Sequence, residues 1–209
     1  GAFSAPKRKN VKRERRRVAE AGIRFRLLRG TEVTPEEWVQ FHRLYCDTFD
    51  KRGGIPTLSL PFFQEIGRTM GEQLLLILAY QGTDLVAAAF NLVGSRTLYG
   101  RHWGCFTDFD SLHFEACYYQ GLEFCIANGL QRFEPGAQGE HKISRGFLPT
   151  PTWSAHWIAD PGFQKGIRHF LEMESEGVAD YIADMRARSP FRADTAGARA
   201  DACKGSTGT

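Results

Sequence analysis

Apolar residues change their period several times along the first half of the chain, and each change marks an element. Residues 23–28, Ile-Arg-Phe-Arg-Leu-Leu, alternate and predict a strand. Thr34 is followed by Pro35, and Glu37 lies three residues after it, a capping box that predicts a helix to about Asp47. Gly53, Gly54 and Pro56 predict a loop over 51–57. Residues 59–70 read as a second helix with Phe62, Phe63 and Ile66 on one face. The apolar run 73–80 predicts a buried strand, Gln81-Gly-Thr-Asp84 a hairpin turn, and 85–93 the returning strand. Gly94-Ser95 turns again, and 97–106 completes a meander.

Alternation in that third strand predicts Leu98, Gly100, His102 and Gly104 on one face, with Tyr99, Arg101, Trp103 and Cys105 on the other. Glycines inside a strand often mark close approach of a ligand or of another backbone. An acidic loop over 107–111 comes next, and Asp110 or Ser111 caps a helix to Ala127. Its expected core stripe is Phe114, Cys117, Tyr118, Gly121, Leu122, Cys125 and Ile126. His113 and Glu115 fall in its first turn, a place that favours anions and a neutral imidazole, and for His113 a local capping role is equally open. Residues 131–134 form a strand that stops at Pro135-Gly136. After Pro149 and Pro151, residues 152–158 alternate as a final strand. There the two tryptophans, Trp153 and Trp157, read as core, and His156 as a sheet histidine with polar neighbours. Asp160-Pro-Gly162 is a turn before a long helix over 163–188, whose stripe holds Ile167, Phe170, Leu171, Val178, Tyr181, Ile182 and Met185, with Glu174 the polar exception. From residue 193 the chain is small and polar without period, and a disordered tail is expected.

Composition narrows the class. The 209 residues suffice for one domain with appendages, and a hydrophobic fraction of 42% is that of an ordinary globular protein. The longest apolar run, 74–80, falls far short of the roughly 20 residues that a membrane helix needs. The five cysteines form no Cys-x-x-Cys pair, which argues against a zinc site or a disulfide framework and suits a cytoplasmic setting. The net charge of +3 is unevenly spread. Residues 1–29 hold eleven Lys/Arg against two Glu, a balance of +9, and the rest holds sixteen against twenty-two acids, a balance of −6. Residues 1–22 therefore form a basic arm, densest from Lys7 to Arg17 and helical in pattern, on an acidic body. The arm reads either as a phosphate contact or as a solvated linker helix, and it carries no interleaved aromatic to stack on bases.

The densest candidate chemistry lies just after the strand at 131–134. Glu134-Pro-Gly-Ala-Gln-Gly-Glu-His-Lys142 and then Ser144-Arg145 bring two acids, an imidazole and two cations onto one glycine-rich loop. Glu134, with Glu140 or His141, suits proton transfer. Lys142 and Arg145 suit stabilisation of an anion. A structural ion pair between Glu134 and Lys142 is the competing reading. No histidine spacing matches a known zinc motif, and no serine or cysteine stands in a nucleophile-elbow context.

The order β-α-α-β-β-β-α-β-loop-β-α resembles the GNAT acetyltransferase fold, a mixed α/β class with a mostly antiparallel sheet. The run HFEACYYQGLEFCIANGLQRFEPGAQGEHKISRGFLPTPTWSAHWI, with KRKNVKRERR upstream, is similar to the FemAB-like family of peptidoglycan-biosynthesis N-acyltransferases. The resemblance covers about residues 7–192 and implies a GNAT-like domain over 23–192, matching the second of two such halves, with a missing N-terminal half as a partner. It implies transfer of an acyl or aminoacyl group from acyl-CoA or aminoacyl-tRNA, as co-substrate rather than as a tightly bound cofactor, to an amine such as that of a peptidoglycan precursor. In such a fold Glu134, His141, Glu140 and Lys142 are the catalytic candidates. His113, Glu115, Arg101, Arg145, Trp103 and His156 are the candidates for holding donor or acceptor, and the basic arm is a candidate tRNA contact. The glycine-rich pyrophosphate loop of acyl-CoA enzymes is replaced by Cys105-Phe-Thr-Asp-Phe-Asp-Ser-Leu-His113. An RNA- or ligand-binding module and a structural half-domain without chemistry are the alternatives.

Overall fold

The computed structural model describes residues 2–136 and 139–192. The expected tail from residue 193 lies outside the described residues. The chain gathers into two units, Lys9–Ala137 and Gly1–Arg8 with Gln138–Thr209.

The larger unit holds the sheet. β1 (Ile23–Arg29), β2 (Leu74–Gln81), β3 (Asp84–Val93), β4 (Thr97–Cys105) and β5 (Arg132–Glu134) lie in that order, antiparallel except that β4 and β5 run parallel. The capping box forms as expected: Thr34 Oγ1 accepts from the Glu37 N–H at 3.2 Å, and the Glu37 carboxylate accepts from the Thr34 N–H at 2.9 Å. It opens α2 (Pro35–Arg52), which runs past Asp47 to Gly53 in the left-handed region. Ser59 caps α3 (Leu60–Thr69). Because β2 is apolar from Leu74 to Tyr80, it builds core on both faces. Leu74, Leu76 and Leu78 pack with Phe41, Phe63 and Phe90 under α2 and α3, while Leu75 and Ile77 pack with Leu98, Ala116 and Phe124 on the other face. Fully burying a side chain such as Phe41 or Phe63 contributes about 1.5–3 kcal/mol.

Gly104 fixes the distance between α2 and β4. A Cβ there would lie 2.4 Å from the Leu44 carbonyl oxygen, so the close approach belongs to backbone and not to a ligand. We expect Gly104→Val to cost about 2–3 kcal/mol by forcing α2 off the sheet, read as a lowered midpoint in urea unfolding.

The helix after β4 is not one regular helix. It starts as α4 (Leu112–Phe114), passes through a π turn at Glu115–Tyr119, and continues as α5 (Gln120–Ala127). The wider turn rotates α5 about its axis, so Phe124 is buried and Ile126, expected in the core, is 80% exposed.

α1 (Ala5–Glu20), beyond Arg8, is part of the larger unit. Val18 and Glu14 are buried, Tyr119 Oη donates to the Glu14 carboxylate, Arg15 pairs with Glu115 at 3.0 Å, and Arg17 with Asp110 at 2.6 Å. The solvated linker reading is thereby corrected: apolar and ionic contacts at residues 14–18 seat the second half of the helix.

In the smaller unit a 3₁₀ turn, Glu140–Arg145, replaces the open loop expected there. Gly146 ends it at φ +95, packed against Phe3, whose ring stacks on Phe191 at 5.2 Å. The expected strand at 152–158 does not form: Trp153 is 91% and Trp157 83% exposed, and neither is core. α6 (Pro161–Ala187) forms behind an Asp160 cap, but of its apolar stripe only Met185 is buried.

Candidate functional site

The site is set by where two parallel strands part. β4 and β5 pair only at Thr97↔Arg132, Leu98↔Phe133 and Tyr99↔Glu134. Pro135 then crosses Gly100, with its Cα 3.4 Å from where a Gly100 Cβ would stand, and Gly136 turns away at φ +92. From Gly100 to Cys105 β4 stays paired with β3, while no strand joins its other edge among the described residues. The result is a half-strand with one edge that no other described strand joins, beginning beside the Glu134 carboxylate; on that edge Thr48 Oγ1 donates to the Trp103 carbonyl at 3.0 Å and Lys51 Nζ to the Cys105 carbonyl at 2.9 Å.

A β-bulge re-aims the side chains along this half-strand. Asn91 faces Gly100 and Phe90 faces His102, leaving Arg101 as the extra residue. The strict alternation expected over 98–105 is therefore corrected. Tyr99, His102 and Gly104 point to the α2–α3 face, and Leu98, Gly100, Trp103 and Cys105 to the α5 face. Arg101 is exposed on the bulge itself. Register places Glu134 beside Tyr99, on the α2–α3 face.

His102 is the residue that the sequence pattern did not single out. Its ring lies edge-on to Tyr45 at 5.0 Å and near Phe90 and Phe63 at 6.1 and 6.3 Å. Burial, helped by the Arg101 charge, pushes its pKa down to about 4, so the imidazole is neutral at neutral pH. A histidine held neutral by folding binds fewer protons than the unfolded chain between about pH 6.5 and 4. Stability is therefore lost as pH falls through that window. Allowing for partial exposure, we expect His102 to account for roughly 2 kcal/mol of destabilisation between pH 7 and 4.5, measured as the difference in pH dependence between wild type and His102→Gln.

On the opposite face a small concavity is lined by Trp103, Cys105, Thr107, Asp108, Phe109, Leu112 and His113. The His113 ring packs against Trp103 at 5.3 Å and Tyr118 at 5.4 Å. The Cys105 thiol reaches Asp108 Oδ1 at 3.7 Å, and burial followed by that acid pushes its pKa up, which keeps it a thiol. Ser111 sits in the left-handed region at φ +69 without capping the helix, and Asp110 is held by Arg17.

The remaining candidates fall into two groups. Glu115 is 3% exposed and bonded to Arg15 and to Gln120 at 2.8 Å, so it holds α1 rather than facing a ligand. Within the smaller unit, Glu140 pairs with Arg188 at 3.5 Å and accepts from Tyr181 at 3.4 Å. His141 is exposed, with its pKa lowered by partial burial and then by Arg145 and Lys142. Arg145 is buried and donates to the His141 carbonyl at 2.8 Å, bracing the turn, while Lys142 is half-buried beside it. His156 lies in the exposed segment 152–158, bonded to Ser154 at 3.0 Å. Among the described residues no group of three or more His, Cys, Asp or Glu is arranged to hold a metal ion, and no helix is long and apolar enough to cross a membrane.

A family model described as FemAB-like, peptidoglycan biosynthesis/recognition, matches residues 1–193. The chain belongs to the FemAB-like family. No curated protein matches it. Among solved structures, this FemAB-like chain is similar to an aminoglycoside acetyltransferase from an uncultured soil metagenomic sample, in complex with trehalose. The two share 10% identity with a TM-score of 0.50, over 66% of this chain and 97% of that one. An aminoglycoside N-acetyltransferase AAC(6')-Iy in complex with CoA matches at 12% identity and a TM-score of 0.45, over 66% and 95%. A GNAT family acetyltransferase from Staphylococcus aureus subsp. aureus matches at 10% and 0.45, over 66% and 99%. The first likeness, at that identity, shows the fold alone, and the fold is that of the GNAT acetyltransferases.

Proposed function

We propose that this FemAB-like chain is an N-acyltransferase working at the open edge of β4. The observation that carries the reading is the parting of β4 from β5 after Tyr99↔Glu134, which leaves backbone N–H groups of β4 without a strand partner among the described residues, beside a carboxylate and a neutral imidazole. The donor is an activated acyl or aminoacyl ester, acyl-CoA or aminoacyl-tRNA. The acceptor is an amine, and the family description points to one on a peptidoglycan precursor.

The groups present at this edge define its chemistry. The amine reaches the enzyme protonated and must lose a proton to attack. The Glu134 carboxylate, at the rigid end of β5, receives it, and the C–N bond forms as the acyl C–S or C–O bond breaks. The leaving thiolate or alkoxide takes up the proton that Glu134 then returns. N–H groups of the unpaired β4 edge, with Arg101 on the bulge, answer the charge that develops on the acyl oxygen. His102 offers a ring nitrogen that positions the acceptor without adding a second positive charge. Trp103 and His113 wall the opposite face for the acyl portion. His141 and Lys142 stand as further candidates in the smaller unit.

Mass spectrometry of products formed from an acyl-CoA or an aminoacyl-tRNA and a primary-amine acceptor tests this reading. An amide whose mass equals acyl plus amine is the expected result. Hydrolysis of the donor without amide would point to a different reaction class.

A further inference from the structure

We infer that the outer face of α1 binds the sugar–phosphate backbone of a nucleic-acid strand. Lys9, Lys12, Arg13 and Arg16 are all exposed and stand at i, i+3, i+4 and i+7, on the side opposite the buried Glu14 and Val18. At about 1.5 Å per residue the row is roughly 10 Å long. The helix is not a loose arm. Glu115 and Glu123 hold Arg15, Asp110 holds Arg17, and the Tyr119 hydroxyl holds Glu14.

Those contacts decide how the charge is used. The chain beyond residue 29 carries a balance of −6, enough acid to neutralise the helix. On α1, among the described residues, its acids engage only the two flanking arginines, Arg15 and Arg17. In the outer row, Arg13 donates to Asn10 and Arg16 lies 3.6 Å from Glu20 of its own helix, and no acid of the body reaches any of the four among the described residues. A rigid cationic ridge is thereby presented on an otherwise acidic protein.

The ridge fits a strand better than a bilayer. The apolar residues of this stretch, Val11 and Val18, face inward, so no apolar side chain of this face is left to enter a membrane. An acidic body also repels a broad anionic plane more than a narrow polyanion met along one ridge. With no aromatic in the row, contact is to phosphates without base readout.

Fluorescence anisotropy with labelled 20-mer oligo(U) and oligo(A) RNA tests the assignment on the whole chain. We expect both to bind alike. Four phosphate contacts on a single strand give a salt slope of about −3, or roughly 50-fold weaker binding from 50 to 200 mM salt. Lys9→Glu/Lys12→Glu/Arg13→Glu/Arg16→Glu should lower affinity at least about tenfold with the circular dichroism melt unchanged. If that variant folds poorly, Lys9→Gln/Lys12→Gln, both at exposed positions, should halve the salt slope. Lys165→Glu/Arg168→Glu on α6 is the charge control and should leave binding unchanged. The inference is overturned if wild type fails to bind RNA at 50 mM salt, if the α6 control loses as much affinity as the α1 variant, or if phosphatidylcholine/phosphatidylglycerol vesicles bind through the row while RNA does not. None of these outcomes depends on acyl transfer.

Discussion

Glu134→Gln should lose acyl transfer by about 10²–10⁴-fold while the protein keeps its melting temperature. The amide retains the size and hydrogen-bonding shape of the carboxylate but does not accept a proton from an ammonium. Glu134 is exposed at the end of β5 and adds no core contact, so folding has little reason to change. The loss should fall on kcat and kcat/KM together, because the missing step occurs after binding. Raising the pH supplies more free amine without the enzyme and should restore part of the activity of the variant. A loss confined to KM, or one that high pH does not relieve, would place Glu134 in acceptor binding and leave the base to another group.

A large stability effect should come from the Arg15–Glu115 pair. Glu115 is buried in the π turn and its charge is answered by a half-exposed guanidinium 3.0 Å away. Arg15→Leu leaves a buried carboxylate without its cation. We expect a cost of about 2–3 kcal/mol, below the full range for a completely buried pair because Arg15 is partly in water. Arg15→Leu/Glu115→Leu removes both charges and should recover most of that loss, which a double-mutant cycle in urea would read as a coupling of about 1–2 kcal/mol. Additive losses would mean that the two side chains act separately and that the remaining contacts seat α1.

Local chemistry made part of this fold legible. Thr34, Pro35 and Glu37 announce α2 because a capping box is complete within four residues. The meander is visible because β2 is apolar from Leu74 to Tyr80 and Gln81-Gly-Thr-Asp84 turns tightly before β3. The parts that could not be read depend on partners distant in sequence or on a single inserted residue. Nothing local distinguishes Arg101 as a bulge, yet it reverses which face every later residue of β4 occupies. The π turn does the same to Phe124 and Ile126. Residues 152–158 alternate like a strand, but a strand exists only beside another that accepts its hydrogen bonds, and none does so here among the described residues. Glu115 looked like a group facing a ligand because its cation lies 100 residues away.

The candidate site divides in the same way. Glu134, Arg101 and Trp103 were visible as residue types on strands, and the structure brings them to the parting of β4 and β5 or to its two walls. His102 was hidden because alternation grouped it with two glycines. Only the aromatic rings of α2, α3 and β3 reveal its neutral state. Arg145 seemed free to meet an anion, but the 3₁₀ turn buries it.

Amide hydrogen exchange with and without donor tests most directly whether the open edge of β4 is the working site. Saturating donor should slow exchange across Gly100–Cys105 and leave the edge strand Ile23–Arg29 unchanged. Slowing confined to β1 or α1, with β4 exchanging as before, would contradict the assignment of the site.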